Sequence, residues 1–302
     1  MREKINSTNA LVAYLDILGY SQLIKSGEYA NIAYRAIDSS IFRWIAYADR
    51  KKFNIGALVR EHLRLQIISD SFIVILDFQK IISEHGEDSR VFENIVLMNF
   101  LDLISYLIQD CMREIKLPIR GAIVCGKYYS QEFQSLRKNN FIFSEALVNA
   151  YKLAEEMADV PRVLIDKSVL SYMIPTRISG IRPDREILCD VDGLHYLNIY
   201  SSIFTDEALI PILRGISAVI NHNSEKNQND PKILRKYRWF ANFHNKIVNE
   251  IIAVYKNDPG LKIQTEELEA VIIDIPTVYQ IGLPEWAIPN QKRMPGKGAD
   301  SN

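Results

Sequence analysis

Cysteine is scarce in this sequence, with three residues among 302: Cys111, Cys125 and Cys189. Their number is odd, and their spacing fits neither a disulfide framework nor a zinc site. We therefore expect free thiols in a reducing cytoplasm. The five histidines also lack the spacing of metal ligands and are expected to be structural or surface residues.

An excess of charge of either sign is absent as well. Lys and Arg number 36 and Asp and Glu 37, so the net charge of −1 gives no bulk reason to expect nucleic acid or an anionic membrane as a partner.

Long hydrophobic runs are also missing. Asp16 interrupts the first apolar stretch, which lacks a secretory signal pattern, and residues 94–110 contain Asp102 and are short for a membrane span. The sequence thus predicts a cytoplasmic protein without nucleic-acid or membrane partners.

The composition that remains is typical of a globular chain, with 48% hydrophobic and 24% charged residues. Periodicity and turn residues predict an order of β-α-α-β-β-α-β-β-α-β, which suggests a ferredoxin-like α/β sandwich, followed by mostly helices. The predicted strands are 10–16, 119–126, 140–143, 162–166 and 193–200, with a hairpin at 63–76. The predicted helices are 31–50, 92–115, 144–157 with Ser144 as N-cap, 203–219 and 232–255, with another helix starting in 20–27 and a polar turn at 221–230.

Two aspartates occupy positions suited to metal binding. Asp16 ends an apolar strand and is followed by Gly19 and a predicted helix, and Asp70 lies at the tip of the predicted hairpin. Carboxylates on adjacent strands can hold two divalent ions, and the amides of the following turn can face a phosphate. Turn aspartates are common, however, so these residues alone also fit a capping and a turn-forming role.

Two further segments are suggestive only in combination. Gly121 and Gly126 lie in a β-prone run, and Lys127 follows at once, where its ammonium group can serve as a point charge for a phosphate. Taken alone, Lys127 reads as a solvated surface residue. The segment 141–157 reads as an amphipathic helix that packs through its apolar side.

In this order, four segments resemble the catalytic domain of class III nucleotidyl cyclases: LDILGYS, IISDSF, RGAIVCGK and SEALVNAYKLAE. They are similar to that family's patterns F-x-D-I-x-G-F, I-G-D-x-x, R-x-G-I-x-x-G-R and G-x-x-V-N-x-A-x-R-L-E. Ser69 and Ser144 stand where the second and fourth patterns have glycine. The resemblance covers residues 10 to about 170 and looks closest to the bacterial pyrimidine cyclases of Pycsar antiphage systems.

The resemblance implies a sandwich with a mixed, mainly antiparallel sheet and a two-metal site for Mg²⁺ or Mn²⁺. Asp16, Asp70 and the Ile17 carbonyl would hold the two ions. The turn at Leu18, Gly19 and Tyr20 would cradle the triphosphate of a nucleoside triphosphate, and Lys127 would assist it.

The departures from the family concern the base and the transition state. Gln66 and Phe141 stand where adenylyl members have Lys and Asp and guanylyl members have Glu and Cys. A glutamine amide suits a pyrimidine edge, and phenylalanine disfavours a purine, so a pyrimidine nucleotide is expected. The resemblance to the Pycsar cyclases implies UTP first and CTP second, since these residues do not separate the two. Lys152 falls on the family's arginine position. Asn149 falls one residue after the asparagine position, which leaves the register of this helix open.

The resemblance also implies a homodimer with composite sites, in which Gln66, Phe141, Asn149 and Lys152 come from the other chain, and a separate effector protein activated by the cyclic nucleotide. The expected division of the chain is a catalytic domain at 8–202, a helical extension at 203–290 and a disordered tail at 291–302. Three alternatives remain open at this point. They are a catalytically inactive nucleotide sensor, a diguanylate synthase suggested by S-D-S-F, and a helical interaction protein acting through residues 203–290.

Overall fold

The computed structural model of the chain describes residues 7–20, 29–48, 55–85, 90–132, 140–173, 186–203, 209–257 and 265–273. Within these residues, eight strands form one sheet: β1 (Thr8–Ile17), β2 (Leu63–Ile68), β3 (Ser71–Leu76), β4 (Ile119–Glu132), β5 (Asn140–Ser144), β6 (Val163–Ile165), β7 (Ile187–Cys189) and β8 (His195–Leu197). The helices are α1 (Tyr29–Ala48), α2 (Gly56–Glu61), α3 (Phe78–His85), α4 (Arg90–Ile115), α5 (Glu145–Met157), α6 (Lys167–Leu170), α7 (Leu209–Lys226), α8 (Pro231–Asn257) and α9 (Thr265–Glu269), with a 3₁₀ turn at Ser201–Ile203.

The sheet has the order β2-β3-β1-β4-β6-β8-β7, with β5 paired to the far end of β4. The pairs β2–β3, β3–β1 and β1–β4 are antiparallel, and β4–β6 is parallel. Because α1 lies between β1 and β2 in the chain and α4 lies between β3 and β4, the first four strands form the ferredoxin-like arrangement. The predicted mixed and mainly antiparallel α/β sandwich is thereby confirmed.

Alternation along β1 assigns its residues to two different layers. Leu11, Ala13 and Leu15 belong to the large core, which also contains the buried side of α4, whereas Val12 packs with Ala146 and Ala150 of α5. The sheet therefore carries α5 on one face and α1 and α4 on the other. Asp16 has the parity of Val12 and so lies on the α5 face.

The glycine at position 121 allows β1 and β4 to approach closely. A Cβ built on Gly121 lies 2.2 Å from the Tyr14 carbonyl oxygen, a distance that side chains do not tolerate. The register is continuous over the whole pair, from Thr8 opposite Tyr128 to Ile17 opposite Ile119. This continuity fixes which β4 side chains reach the end of β1.

The helix Arg90–Ile115 is long and apolar enough to cross a membrane by length and composition, but 89% of its most apolar stretch is buried inside the protein. It packs against α1, where the Trp44 indole N–H donates to the Asn99 carbonyl at 3.0 Å. Its apolar character on several sides is that of a core helix.

Several local predictions are confirmed. The hairpin forms over Leu63–Leu76 with a two-residue turn at Ser69 and Asp70. Ser144 is the N-cap of α5, and its hydroxyl accepts from the Leu147 amide at 3.0 Å. The expected helix in 20–27 and tail at 291–302 lie outside the described residues, apart from Tyr20.

The predicted polar turn at 221–230 is wrong in its first half, since α7 continues to Lys226. Asn223 is buried there, and its amide donates to the Lys116 carbonyl at 2.9 Å and to the Val219 carbonyl at 2.8 Å. A polar residue that looked like a turn-former is instead satisfied inside a helix. The three-residue strand β7 was not predicted, because the only signal in its sequence is two apolar residues.

The C-terminal helices share the core of the sheet. Phe240 and Ile247 of α8 are buried in the same cluster as Tyr196 and Leu197 of β8 and Leu107 of α4. The helices therefore pack directly on the α/β layers.

Candidate functional site

Asp16 and Asp70, which are predicted to be metal ligands, lie at one corner of the sheet. Asp16 is the penultimate residue of β1 and is paired with Ser71, the first residue of β3. The Ile17 amide donates to the Asp70 carbonyl oxygen at 3.0 Å, which ties the hairpin turn to the end of β1. The antiparallel register thus brings together two residues that lie 54 positions apart in the sequence.

The Asp16 carboxylate is largely buried and is held by an arginine from β4. Arg120 lies opposite Asp16 in the β1–β4 register and donates from Nε to its Oδ2 at 3.0 Å. The same guanidinium donates from an Nη atom to Glu155 Oε1 on α5 at 2.5 Å. Arg120 therefore bridges the strand aspartate and the helix glutamate.

Burial is the main cause that raises the pKa of Asp16 above its usual value. The hydrogen bond and charge of Arg120 lower that pKa, and the negative charges of Asp70 and Glu155 raise it. One guanidinium thus binds two carboxylates at this corner, and Asp70 adds a third negative charge that acts on Asp16. Added positive charge would relieve their repulsion, which suits a cation or a cation-bound substrate.

The corner is not a complete metal cage by itself. Over the described ranges, no group of three or more His, Cys, Asp or Glu side chains is placed to hold a metal ion. Two carboxylates and the Ile17 carbonyl fit a hard divalent ion only if water or substrate phosphate completes its oxygen ligands, which is the usual arrangement for Mg²⁺.

Tyr14 contacts both the hairpin and α5 next to Asp16. Its hydroxyl lies 2.9 Å from the Ser71 hydroxyl, and its ring meets the edge of Tyr151 with the centroids 5.3 Å apart. Ser71 immediately follows Asp70. The contact therefore joins the strand that carries one aspartate to the hairpin that carries the other.

The turn after β1 supplies fewer phosphate donors than predicted. The Leu18 amide already donates to the Pro118 carbonyl at 2.9 Å. Gly19 has a φ of 87° and is exposed, and Tyr20 is partly buried. The helix predicted to start in residues 20–27, whose amides were expected to face a phosphate, lies outside the described residues apart from Tyr20.

Gln66 lies on β2 in one cross-strand row with Ile73 of β3 and Tyr14 of β1. This row is on the α5 face, the same face as Asp16, so a base-reading role from this surface is geometrically consistent. Phe141 pairs with Gln131 on β5, and its side chain lies outside the described part of the structure.

The remaining predicted residues are not gathered at the corner of the same chain. Lys127 is paired with Asn9 near the start of β1, seven residues along β4 from Arg120 and on the opposite face, at roughly 23 Å by strand rise. Asn149 and Lys152 are exposed on α5. Lys152 precedes Glu155 by one helical turn, whereas Asn149 lies further from the corner.

The site also contains residues to which the sequence analysis assigned no role: Tyr14, Ser71, Arg120 and Glu155. Their signal was available in part, because period two along the predicted strand 119–126 assigns Arg120 to one face together with Ala122 and Val124. Which partner Arg120 meets depends on a register between segments that lie 104 residues apart.

No protein-family model and no curated protein matches the chain. Among solved structures it is similar to the adenylyl cyclase CyaB from P. aeruginosa, with a TM-score of 0.42 and 12% identity over 65% of this chain and 95% of that chain. A bacterial light-regulated adenylyl cyclase gives a TM-score of 0.41 and 12% identity over 66% of this chain and 54% of that chain. The guanylate cyclase domain of RhGC from Catenaria anguillulae in complex with GTP gives a TM-score of 0.40 and 10% identity over 64% of this chain and 98% of that chain.

The chain thus spans about half the length of the light-regulated cyclase that it matches. At these TM-scores and identities, the likeness assigns neither a family nor an activity. What the chain does must be inferred from its own residues.

Proposed function

We propose that this chain is a pyrimidine nucleotide cyclase that converts UTP, or else CTP, into the 3′,5′-cyclic monophosphate and pyrophosphate. The observation that carries the proposal is the corner formed by Asp16 and Asp70, with the Ile17 amide bonded to the Asp70 carbonyl at 3.0 Å. The type of reaction in this proposal comes from the four sequence segments that resemble class III cyclases.

Asp16, Asp70 and the Ile17 carbonyl are the proposed ligands of two divalent ions, Mg²⁺ or Mn²⁺. The repulsion that Asp70 and Glu155 exert on the buried Asp16 supports this choice. When bound, the ions supply positive charge that lowers the pKa of the ribose 3′-hydroxyl and stabilises the leaving pyrophosphate.

The residues of the chain hold this arrangement and orient the substrate. Arg120 fixes the Asp16 carboxylate, and the amides of Gly19 and Tyr20, in the turn that follows β1, would receive phosphate oxygens. The 3′ oxygen forms a bond to the α-phosphorus in line with the leaving oxygen. The bond from the α-phosphorus to that oxygen breaks, pyrophosphate leaves, and the hydroxyl proton passes to solvent.

Pyrimidine selectivity is assigned to Gln66 and Phe141. Gln66 shares the α5 face with Asp16 and can both donate to and accept from a pyrimidine edge. By residue type alone, a phenylalanine at position 141 would disfavour a purine base. We expect UTP, or failing that CTP, to be cyclised at least ~10-fold better than ATP or GTP.

Some predicted site residues do not lie near Asp16 and Asp70 of the same chain, and a composite site in a homodimer would explain their positions. Asn149 and Lys152 are exposed on α5 and available to a second copy, which would contribute them together with Gln66 and Phe141. Lys127, roughly 23 Å from Arg120 along β4, can assist the triphosphate only from a second copy or after a rearrangement.

The proposed biological setting follows the resemblance alone. The cyclic nucleotide would act as a second messenger in bacterial antiphage defence in the cytoplasm and activate a separate effector protein. The proposed catalytic domain is residues 8–202, with residues 203–290 as its helical extension.

One alternative has a specific observation in its favour. The Asp16 carboxylate is already paired with Arg120 at 3.0 Å, and serines replace the glycines at positions 69 and 144. A catalytically degenerate domain that binds a nucleotide as a sensor has the same features.

One experiment separates these functions. Purified protein is incubated with Mn²⁺ and each of the four nucleoside triphosphates, and the products are identified by mass. Cyclic UMP or cyclic CMP supports the proposal. Binding of a nucleotide without any cyclic product supports the sensor, and a preference for ATP or GTP overturns the pyrimidine assignment.

The matched variants are Asp16→Asn, Asp70→Asn and Asp38→Asn. The first two should lose turnover while keeping their thermal melts, whereas Asp38 is exposed on α1 and its variant should behave as wild type. Full activity in either of the first two variants contradicts the two-metal site. Loss of activity together with a large fall in the melting temperature would mean that Asp16 or Asp70 has a structural role instead.

A further inference from the structure

Arg162 forms a buried junction between α5 and the loop that joins β7 to β8. Its side chain is 4% exposed and donates from Nη1 to Asp190 Oδ2 at 2.8 Å and from Nη2 to Asp192 Oδ2 at 2.6 Å. Nη2 also lies 3.3 Å from the carbonyl oxygen of Met157, the last residue of α5. A guanidinium with its carboxylates on one side and a helix C-terminus on the other fixes that terminus in place.

The backbone of Arg162 contacts the strand that carries Arg120. The Gly121 amide donates to the Arg162 carbonyl at 3.1 Å. Arg162 is therefore bonded to α5, which carries Glu155, and to β4 directly beside Arg120. These are the two elements that the Arg120–Glu155 pair joins, and Arg120 holds Asp16.

The C-terminal helix α8 reaches the same junction. The Trp239 indole N–H donates to Asp190 Oδ2 at 3.0 Å, the oxygen that Arg162 also binds, and the Arg162 guanidinium carbon lies 6.0 Å from the Trp239 ring centroid. Arg235, one turn earlier, donates to Asp159 Oδ2 at 3.0 Å in the link between α5 and β6. Because the pair of Arg235 with Asp159 is exposed, Trp239 is the stronger contact.

The Trp239 side chain is held by aromatic packing. Its ring lies 5.6 Å from the Tyr196 ring and 5.5 Å from the Phe243 ring, centroid to centroid. Edge-to-face and tilted aromatic pairs of this kind fix a ring in one orientation. The position of α8 is thus transmitted to Asp190 through a rigid side chain.

We infer that the C-terminal helices position the proposed active site through Trp239, Asp190 and Arg162, with Arg162 as the positioning residue between α8 and the Arg120–Glu155 pair. The helical extension is then a control element, since a displacement of α8 changes how Asp16 is held. The catalytic consequence rests on the proposed function, whereas the mechanical coupling does not.

The test compares Trp239→Phe with Asn245→Ala in the full-length protein. The first substitution removes the indole N–H and keeps an aromatic ring. The second lies on α8 away from the junction and removes two hydrogen bonds of 2.8 Å to Ile273. Hydrogen exchange is measured at the Gly121 and Ala158 amides and, as a reference for global stability, at the Val12 amide.

We expect Trp239→Phe to speed exchange at Gly121 and Ala158 about threefold or more relative to Val12, and Asn245→Ala to change all three amides alike. The Mn²⁺ concentration for half-maximal cyclase activity should rise about threefold or more in Trp239→Phe, with a smaller change in kcat, and should not change in Asn245→Ala. Asp190→Asn, which keeps an acceptor for Trp239 and weakens the bond to Arg162, should act like Trp239→Phe.

The two proposals fail in different ways. If wild-type protein cyclises no nucleotide, the proposed function is lost, and the exchange rates alone decide whether the junction couples α8 to β4. If wild type is active and Trp239→Phe and Asp190→Asn leave both the relative exchange rates and the Mn²⁺ dependence unchanged, the positioning role is overturned.

Discussion

The Tyr14 and Ser71 hydroxyls lie 2.9 Å apart and join β1, which carries Asp16, to β3, which begins directly after Asp70. Ser71 is 8% exposed, and burial is the main cause that raises the pKa of Tyr14 above its usual value. The cyclase pattern that this segment resembles has phenylalanine at position 14. The hydroxyl bond is therefore a departure of this chain, placed one residue from a proposed metal ligand.

Tyr14→Phe and Ser71→Ala should each weaken the same contact. We expect each to lower the free energy of unfolding by about 0.5–1.5 kcal/mol, because a partly buried hydrogen bond is lost. Cyclase activity at limiting Mn²⁺ should fall several-fold, since the turn that carries Asp70 loses a tie to β1. The measurements are urea unfolding and a Mn²⁺ titration of activity.

The double variant Tyr14→Phe/Ser71→Ala provides the control. Its loss in the free energy of unfolding should be clearly smaller than the sum of the losses in the two single variants, because both substitutions remove the same interaction. Additive losses in stability and activity would mean that the two hydroxyls act separately.

Ser69 is the first residue of the hairpin turn and has a φ of 57°, in the left-handed region. Side chains with a Cβ are strained there, while glycine is more flexible in the unfolded chain. We expect Ser69→Gly to be more stable than Ser69→Ala by about 0.5–1 kcal/mol, measured by urea unfolding. Equal stability of the two variants would show that the turn relaxes to another conformation.

Complementation tests the composite site. Asp16→Asn and Lys152→Ala chains, each inactive alone, should regain activity when mixed, because a heterodimer of the two has one intact site. Free exchange gives heterodimers as about half of all dimers. Activity is measured after exchange has been verified with differently tagged chains, and no recovery would assign the site to one chain or remove Lys152 from it.

His244 predicts a fall in stability at acidic pH. It is fully buried between Tyr200 and the Val271 carbonyl, with Nδ1 2.9 Å from the tyrosine oxygen and Nε2 3.0 Å from the carbonyl oxygen. A carbonyl only accepts, so Nε2 carries the proton and Nδ1 accepts from Tyr200. Both nitrogens are satisfied in the neutral ring, and burial lowers the pKa of His244 to about 4.

The unfolded chain binds this proton near pH 6.5, and the folded chain binds it only near pH 4. The contribution of neutral His244 to the free energy of unfolding is therefore fully present above pH 6.5 and is lost as the pH falls to about 4. The loss from this group is roughly 3 kcal/mol. Burial raises the pKa of Asp16 and of Asp110, and these two groups therefore favour the folded state as the pH falls, opposite to His244. Comparison with His244→Gln isolates the effect of the histidine, because both carboxyl groups are kept. Urea unfolding at pH 7, 5.5 and 4 should give a flatter profile for the variant; identical profiles would contradict the assignment.

Local chemistry made part of the fold predictable. The hairpin at 63–76 and the Ser144 cap depend on turn and capping residues within a few positions of one another, and both appear as expected. The positions of Asp16 at a strand end and Asp70 at a hairpin tip follow from the same local signals. The sequence alone therefore also shows their resemblance to a two-metal motif.

Tertiary structure decided which side chains meet. Arg120 reaches Asp16 because β1 and β4 pair in one continuous register, and no local signal specifies a pairing across 104 residues. The same register places Lys127 opposite Asn9, seven residues along β4 from Arg120, although the resemblance implied that it assists at the Asp16 site. Asn223, which reads as a turn residue, is helical because the Lys116 carbonyl, more than 100 positions away, accepts from its amide.

The sequence by itself thus determined most of the strands, the long helices and the positions of the two aspartates, since each depends on periodicity and on neighbouring residues. Only the fold decided that Arg120 bridges Asp16 and Glu155, and that Arg162 and Trp239 meet at Asp190. Burial of charged groups requires partners, and those partners become neighbours only after distant segments have packed.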